Sequence, residues 1–224
     1  QQQAPVFLVT TDHGHQLTVT DQHEFPTTRG RLRLKDMRTG DRILLPSGEG
    51  AFGTGGTQEE GFLLGSFVGD GTMDPSGSAF IDVWEADFGD LDYIKDAVRE
   101  AVATIPTHRE YPELDWLKQT PTANSEKKRI GGVRFGKWVA SLSDDGSLYG
   151  LKERVPRAVW NGSREFIAGY IRGLLHADGS VMMSGHKKST TLSTRLSSVK
   201  PALLRDVQML LGMFGIVSRV YSRK

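Results

Sequence analysis

Two apolar stretches of helix length, 108 residues apart, dominate the hydrophobic pattern of this chain. Residues 61–71 and 169–179 both place a small residue at every fourth position. Since positions i and i+4 lie on one face of a helix, each predicted helix has a stripe that is nearly bare of side chains. Two such stripes can pack closer than the roughly 8–10 Å that usually separates helix axes. The small residues are Gly61, Gly65 and Gly69 in the first stretch and Gly169, Gly173 and Ala177 in the second.

Close pairing would also explain why the helices contain so much glycine. Glycine costs about 1 kcal/mol per position inside a helix relative to alanine, so five glycines with matched spacing need a compensating reason. Both stretches end in Asp-Gly, at Asp70 and Asp178, and the glycine that follows is expected to end each helix. The two carboxylates should then project side by side from one end of the pair, a plausible place for a divalent metal.

The N-terminal 46 residues have the alternation that is typical of strands. Val6–Thr10 and Gln16–Thr20 flank a polar turn, and two further strand-like runs cover 31–34 and 41–45. Residues 47–57 are rich in glycine and predict a flexible linker. This stretch spells Gly-x-Gly-x-x-Gly from Gly48, but no helix begins within it, so we reject a dinucleotide site.

The pattern after the linker predicts a helix-and-strand unit that occurs twice. Thr57 with Glu60 is expected to form a capping box for the first helix, and Ser163 to cap the second. The further elements expected are strands at Ala79–Trp84, His108–Leu114, Gly132–Phe135, Val181–Met183, Thr190–Leu196 and Ile216–Tyr221, and helices at Leu91–Val102 and Pro201–Phe214. The predicted class is α+β, with a β-rich module at 1–46, the linker at 47–57, and two halves at 58–147 and 151–224. The second half is shorter, so we expect it to be truncated.

Composition excludes several classes of function. No apolar run reaches the roughly 18 residues of a membrane span, so no membrane partner is expected. The chain has no cysteine, which rules out disulfides, thiolate metal sites and a cysteine nucleophile. Its first residues do not form a signal peptide, and we expect a cytoplasmic protein. No two of its six histidines have the i, i+4 spacing of a helical zinc site.

The net charge of +1 conceals a strong asymmetry. Residues 82–115 contain three Lys or Arg and ten Asp or Glu, so this segment should face away from a polyanion. Residues 127–172 contain ten basic and four acidic residues, and residues 187–224 contain eight and one. Two basic segments, one near each Asp-Gly helix, favour a nucleic acid as the partner.

In the register Leu63–Gly71 and Ile171–Gly179, the two stretches resemble the paired LAGLIDADG motifs of monomeric homing endonucleases. The match is close at the small residues and at the aspartates. Positions that depart from the type sequence are Ser66, Phe67, Gly69, Arg172 and His176. The resemblance implies two α-β-β-α-β halves related by a pseudo-two-fold axis, a monomer, and metal-dependent cleavage of both strands of double-stranded DNA.

The same resemblance implies roles for individual residues. Asp70 and Asp178 take the metal and catalytic roles, with the peptide oxygens of Gly69 and Ala177 as further ligands, and oxygen-only ligation suits Mg²⁺. Intein-borne members often carry a basic residue before a proline ahead of the second motif, which suggests Lys152 as a catalytic residue with Arg154 as the substitute. Candidate DNA contacts are Arg154, Arg172, Lys187, Lys188, Arg195, Arg219 and Arg223.

Residues 6–46 resemble the block of an intein's Hint domain that carries Thr-x-x-His, here Thr20 and His23. In that family these two residues help to polarise the scissile amide during splicing. The chain begins at Gln1 and has no cysteine, so we expect this chain alone not to splice.

The leading interpretation is an intein-encoded, site-specific DNA endonuclease joined to part of a Hint domain. A DNA- or RNA-binding maturase or regulator that does not cleave, or a decayed endonuclease, is left open. Retention of both aspartates favours the enzyme, because a protein that only binds has no need of them.

Overall fold

The computed structural model describes residues 4–45, 48, 50–84, 91–103, 127–145, 150–186 and 189–221. Helices and small antiparallel sheets alternate along these residues, so the expected α+β class is confirmed. The chain divides into two compact units, of which the larger contains residues 52–203. The smaller combines residues up to 51 with residues 204–224, a segment that the sequence analysis assigned to the second half.

Six helices of the larger unit include or flank the site. The paired helices are α1, Gln58–Asp70, and α6, Arg164–Asp178. The others are α2, Leu91–Ala103; α3, Val133–Ser141; α4, Gly150–Glu153; and α5, Arg157–Trp160, the last two being single turns. Its deeply buried side chains come from these helices and from the strand Ala79–Trp84, and include Phe62, Leu63, Leu64, Phe67, Ile81, Phe135, Ile167, Tyr170 and Leu174.

Each Asp-Gly helix leads directly into an antiparallel pair of strands. After α1, β5 (Gly71–Met73) pairs with β6 (Ala79–Trp84), and β6 pairs with β7 (Lys127–Gly132). After α6, β8 (Gly179–His186) pairs with β9 (Ser189–Leu196). The helix α7, Pro201–Met213, follows β9, and its residues from Leu204 belong to the smaller unit.

The smaller unit is built from hairpins. β1 (Val6–Thr10) pairs with β2 (Gln16–Thr20), and β3 (Glu24–Thr27) pairs with β4 (Gly30–Arg33). The Gln208 side chain of α7 donates to the carbonyls of His13 and Ser218 at 2.9 and 3.0 Å. These bonds hold the segment after α7 against the β1–β2 turn.

Three strand predictions were wrong. Gly132 ends β7, and Val133 begins α3, because Phe135, Trp138 and Val139 form a buried helical face that the four-residue window did not reveal. Residues 216–221 have no strand pairing, although the Val220 amide donates to the His13 carbonyl. The run 41–45 contributes one isolated bridge, from Ile43 to Thr27. The strand expected at His108–Leu114 lies outside the described residues.

The last part of the glycine-rich stretch is held against the residues that precede α6. The Gly53 amide donates to the Gly162 carbonyl at 2.9 Å, and the Ser163 amide donates to the Gly55 carbonyl at 2.7 Å. A Cβ at Gly53 would lie 1.9 Å from the Asn161 carbonyl oxygen. Glycine here permits two backbones to approach, which is a different role from the flexibility that composition suggested.

Both predicted helix caps are confirmed. The Thr57 hydroxyl accepts from the Glu60 amide at 3.2 Å, and the Glu60 carboxylate accepts from the Thr57 amide at 2.9 Å. The Ser163 hydroxyl accepts from the Phe166 amide at 3.0 Å and donates to the Gly56 carbonyl at 2.9 Å. The caps fix where α1 and α6 begin.

We expect Thr57→Ala to lower the free energy of unfolding by about 1 kcal/mol, because the amide of Glu60 loses its acceptor. Thr57→Ser keeps the hydroxyl and should cost much less. Urea denaturation of the two variants and the wild type measures the difference. Equal losses for the alanine and serine variants would contradict a capping role.

Candidate active site at the α1–α6 seam

Helices α1 and α6 pack backbone against backbone along their small residues. A Cβ at Gly65 would lie 2.1 Å from the Tyr170 carbonyl oxygen, and one at Gly173 would lie 2.2 Å from the Phe62 carbonyl oxygen and 3.0 Å from the Gly65 carbonyl carbon. Gly65 and Gly173 therefore face each other at the centre of the seam.

The same contact extends to both ends of the seam. A Cβ at Gly61 would lie 2.0 Å from the Phe166 carbonyl oxygen, and one at Gly169 would lie 2.1 Å from that of Gln58. At the other end, a Cβ at Gly69 would lie 2.4 Å from the Cβ of Ala177. All six predicted interface positions thus lie in the contact between the two helices.

Gly71 and Gly179 end the two helices as expected, but in extended rather than left-handed conformation, with φ of −68° and −83°. A Cβ at Gly71 would lie 2.3 Å from the Phe67 carbonyl oxygen, and one at Gly179 would lie 2.1 Å from that of Leu175. The glycines are required because the chain turns tightly back over the last helical turn.

This geometry brings the two aspartates to the same end of the seam. The Asp178 Oδ2 atom lies 3.5 Å from the position that a Gly69 Cβ would occupy, one residue before Asp70. Asp70 is half-buried and Asp178 is exposed. Asp70 directly follows Gly69 in the chain, and Asp178 directly follows Ala177, and these two small residues are in contact across the seam.

Lys152 completes the group from a separate element. Its Nζ donates to the Gly69 carbonyl at 3.1 Å and lies 5.8 Å from the centre of the Phe67 ring. Leu151, only 1% exposed, anchors α4 beside it. Of the two basic candidates before Pro156, Lys152 reaches the seam, whereas Arg154 is exposed.

Burial and mutual charge perturb all three ionisable groups. Desolvation raises the pKa of Asp70; the charges of Asp178 and Asp82 raise it further, and Lys152 and His176 oppose them. Desolvation also raises the pKa of Asp178, against the effect of Lys152. Desolvation lowers the pKa of Lys152, while the two aspartates counteract it. Perturbed acids and a perturbed base in one cluster are typical of functional sites.

Asp82 is a further acidic residue near the site, and no motif in the sequence marks it. Its carboxylate accepts from Arg129 Nε at 2.8 Å and from Nη2 at 3.3 Å, and it faces Arg129 across the β6–β7 pair. The alternation of β6 predicts on which face of the strand Asp82 lies. Its partner Arg129, 47 residues away, is identified only by the pairing of β6 with β7. Asp82 lies close enough to Asp70 to influence its pKa.

The donor atoms that the two aspartates and the neighbouring peptide groups offer to a metal are few and are all oxygens. Within the described ranges, no cluster of three or more His, Asp or Glu side chains could hold a metal ion. The seam itself offers two carboxylates and nearby peptide oxygens. Mg²⁺ is commonly held by one or two carboxylates, with water and substrate phosphates completing its shell, so this donor set fits Mg²⁺.

The proposed DNA contacts that the structure describes lie on different elements of the chain. Arg172 stacks over the rings of Phe62 and Tyr93 at 5.2 and 5.0 Å. Arg195 is exposed on β9 opposite Ser180, and Arg219 belongs to the smaller unit, 3.8 Å from Asp12. Lys187, Lys188 and Arg223 lie outside the described residues.

The Thr20 and His23 pair forms a turn between β2 and β3. The His23 amide donates to the Thr20 carbonyl at 3.2 Å, and the His23 ring contacts Phe25 at 4.8 Å between centroids. Their role in splicing stays a prediction. Across the described part of the chain, no helix is both long and apolar enough to cross a membrane.

Several relatives match nearly the whole chain at low identity, and three of them are a reductase subunit and two helicases. The ribonucleoside-diphosphate reductase NrdEB subunit alpha of Bacillus subtilis is 29% identical over 98% of this chain, which covers 20% of that protein. The replicative DNA helicase DnaB of Nostoc sp. is 29% identical over 95% of the chain, 24% of the helicase. DnaB of Rhodothermus marinus is 28% identical over 96% of the chain, 23% of that helicase. The chain thus spans about a fifth to a quarter of these relatives.

A family model gives a more specific match. Residues 165–224 match the family described as LAGLIDADG-like domain. The match begins at the second residue of α6 and contains Asp178 with the β8–β9 hairpin. The second of the two Asp-Gly helices therefore lies in the part of the chain that is similar to this family.

Proposed function

We propose that this chain is a homing endonuclease that cleaves both strands of double-stranded DNA. The observation that carries the proposal is the meeting of Asp70, Asp178 and Lys152 at one end of a seam built from glycine. Two acids from two helices and one base from a third element give a site in which a phosphodiester can be bound and hydrolysed. Both acids come from one chain, so the active species is a monomer.

Asp70 and Asp178 would hold Mg²⁺, with the Gly69 and Ala177 carbonyls as further ligands. Bound Mg²⁺ would supply Lewis-acid stabilisation of the phosphate and of the leaving oxygen and would acidify a water molecule. The carboxylates of Asp70 and Asp178 would hold the ion and its water near the phosphate. Phosphate oxygens of the DNA would supply ligands beyond those that the protein offers.

Lys152 would offset the negative charge that accumulates when a phosphate approaches two carboxylates. The lysine already lies against the Gly69 carbonyl, and so needs little movement to reach a phosphate bound between the aspartates. A desolvated ammonium interacts more strongly with a phosphate than one in water does. Lys152 therefore acts as an electrostatic catalyst in this proposal.

We further propose that the endonuclease is carried within an intein. A ribonucleotide reductase subunit and two DnaB helicases all contain a segment similar to this chain over 20 to 24% of their length, although the names of the reductase and of the helicases share no activity. A shared segment in otherwise different proteins is what an inserted element would produce. The resemblance of residues 6–46 to a Hint block supports the same origin.

Cleavage of the uninterrupted host gene tests the proposal. The purified chain is incubated with Mg²⁺ and a plasmid that carries the host gene without the insertion, and with an otherwise equal plasmid that keeps the insertion. We expect a double-strand break in the first plasmid alone, and no break with EDTA. Binding of the first plasmid without any break would instead indicate a DNA-binding protein that does not cleave.

In the same assay, Lys152→Met should reduce the cleavage rate by about 10²–10⁴-fold, as expected for loss of a positioned charged catalyst. Lys95→Met is the matched control, because Lys95 lies on α2 and pairs with Asp92 at the surface. Rates are measured at saturating protein on the target plasmid. Equal effects of the two substitutions would remove Lys152 from the proposed site.

A further inference from the structure

A cavity of about 260 Å³ lies beside Asp70, and residues of α1, α2, β6 and the last turn of α6, including Ala177, line it. Its polar wall consists of Ser66, Asp70, Asp82 and His176, and its apolar wall includes Ile81 and Ile94. Asp178 is not among the described residues that line it. Of the two aspartates, Asp70 therefore lines this cavity, which we call the Ser66 cavity, and Asp178 does not.

The Ser66 hydroxyl is the most informative group in this wall. Ser66 is 2% exposed, and within the part of the chain that the structure describes its Oγ has no hydrogen-bond partner. A buried hydroxyl without a partner costs free energy, and such groups are commonly satisfied by ordered water. A water molecule in the cavity would satisfy this one.

The backbone of Ser66 is held in place beside the cavity. Its amide nitrogen lies 2.6 Å from where a Gly173 Cβ would be, so α1 is fixed against α6 at this residue. Asp82 is fixed as well, since both of its oxygens accept from Arg129. The polar wall is therefore preorganised around the cavity.

We propose that the Ser66 cavity holds ordered water, anchored in part by the Ser66 hydroxyl, and that this water hydrates and orients the Asp70 carboxylate but not that of Asp178. A water molecule takes up about 30 Å³ in the liquid, so the cavity has room for several. The role in cleavage rests on the proposed function, whereas the presence of the water does not. As a consequence, the two aspartates would differ in hydration, and the two DNA strands would depend differently on Ser66.

A crystal structure of the DNA-free protein tests the first part directly. We expect an ordered water molecule within hydrogen-bond distance of Ser66 Oγ. An empty cavity at a resolution that shows water elsewhere in the interior would overturn the proposal.

Thermal denaturation of Ser66→Ala and Ser66→Thr gives an independent test. If the cavity is hydrated, the alanine variant loses a hydrogen bond to water, and its Tm should fall by about 2–4 °C. The threonine variant keeps the hydroxyl and should stay within about 1 °C. Alanine has the higher helix propensity, so a fall cannot come from the helix itself. A rise in Tm for Ser66→Ala would indicate a dry cavity and overturn the proposal.

Strand-resolved cleavage tests the asymmetry. Ser66→Val fills part of the cavity and should slow the cleavage of one labelled strand by about tenfold while the other is cleaved at the wild-type rate. Equal slowing of both strands, or of neither, would overturn the assignment to Asp70 alone. A wild-type chain that cuts no DNA contradicts the proposed function, and the water and Tm measurements then still decide whether the cavity is hydrated.

Discussion

Asp70→Asn and Asp178→Asn should each abolish DNA cleavage, yet leave the metal-free protein as stable as the wild type or more stable near neutral pH. Desolvation raises the pKa of both carboxyls in the folded state, so their ionised forms oppose folding. Both also lie at helix C-termini, where the macrodipole disfavours negative charge. Asparagine keeps the shape and removes the charge.

The pH dependence follows from the direction of these shifts. A carboxyl whose pKa is raised on folding destabilises the protein fully at pH values above the folded pKa. The penalty diminishes as the pH falls through the folded pKa, and it vanishes below the unfolded value of about 3.9. The stability difference between Asp70→Asn and the wild type should therefore be largest at neutral pH and disappear in acid.

Melting temperatures measured with EDTA and with Mg²⁺, alongside the cleavage assay, check this prediction. Mg²⁺ should raise the Tm of the wild type more than that of either variant, because each variant lacks one carboxylate ligand. Asp96→Asn, at an exposed residue of α2, is the control for removal of an acid outside the site. A drop of several degrees in the metal-free Tm of both site variants would make the aspartates structural and leave the catalytic assignment without support.

Gly65→Ala should destabilise the protein by about 2–3 kcal/mol, even though alanine is the better helix former. The added Cβ would lie 2.1 Å from the Tyr170 carbonyl oxygen, and a backbone atom in the facing helix cannot move aside without separating the two helices. The expected fall in Tm is about 5–10 °C. Cleavage should also fall, since the seam sets the distance between the two aspartates.

Gly212→Ala is the matched control, because this glycine is also helical but has no atom within 4 Å of an added Cβ. Here the helix propensity acts alone, and stability should rise by up to about 1 kcal/mol. Opposite signs for two identical substitutions would show that contact across the seam, and not helix propensity, explains Gly65. A Gly65→Ala variant as stable as Gly212→Ala would mean that the helices are not in backbone contact.

The sequence by itself determined the seam and most of its elements. Small residues at every fourth position form a local pattern that close pairing of two helices explains. The structure places Gly65 against Gly173. The caps at Thr57 and Ser163 are equally local, because a hydroxyl and an amide three residues away suffice to make them. Strand Ala79–Trp84 could also be predicted from a local pattern, because its alternation places apolar side chains on one face.

Only the tertiary structure decided the rest, because the deciding contacts join residues far apart in the chain. Lys152 reaches Gly69 across 83 positions, which selects it over Arg154, and Asp82 meets Arg129 across 47. The partner of the Gly53 backbone is Gly162, so a stretch that composition describes as flexible is instead held by hydrogen bonds. Four residues cannot distinguish the period of a strand from that of a helix, so the sequence at 132–135 predicts a strand. Burial of Phe135 and Val139 on one side instead makes Val133–Ser141 a helix.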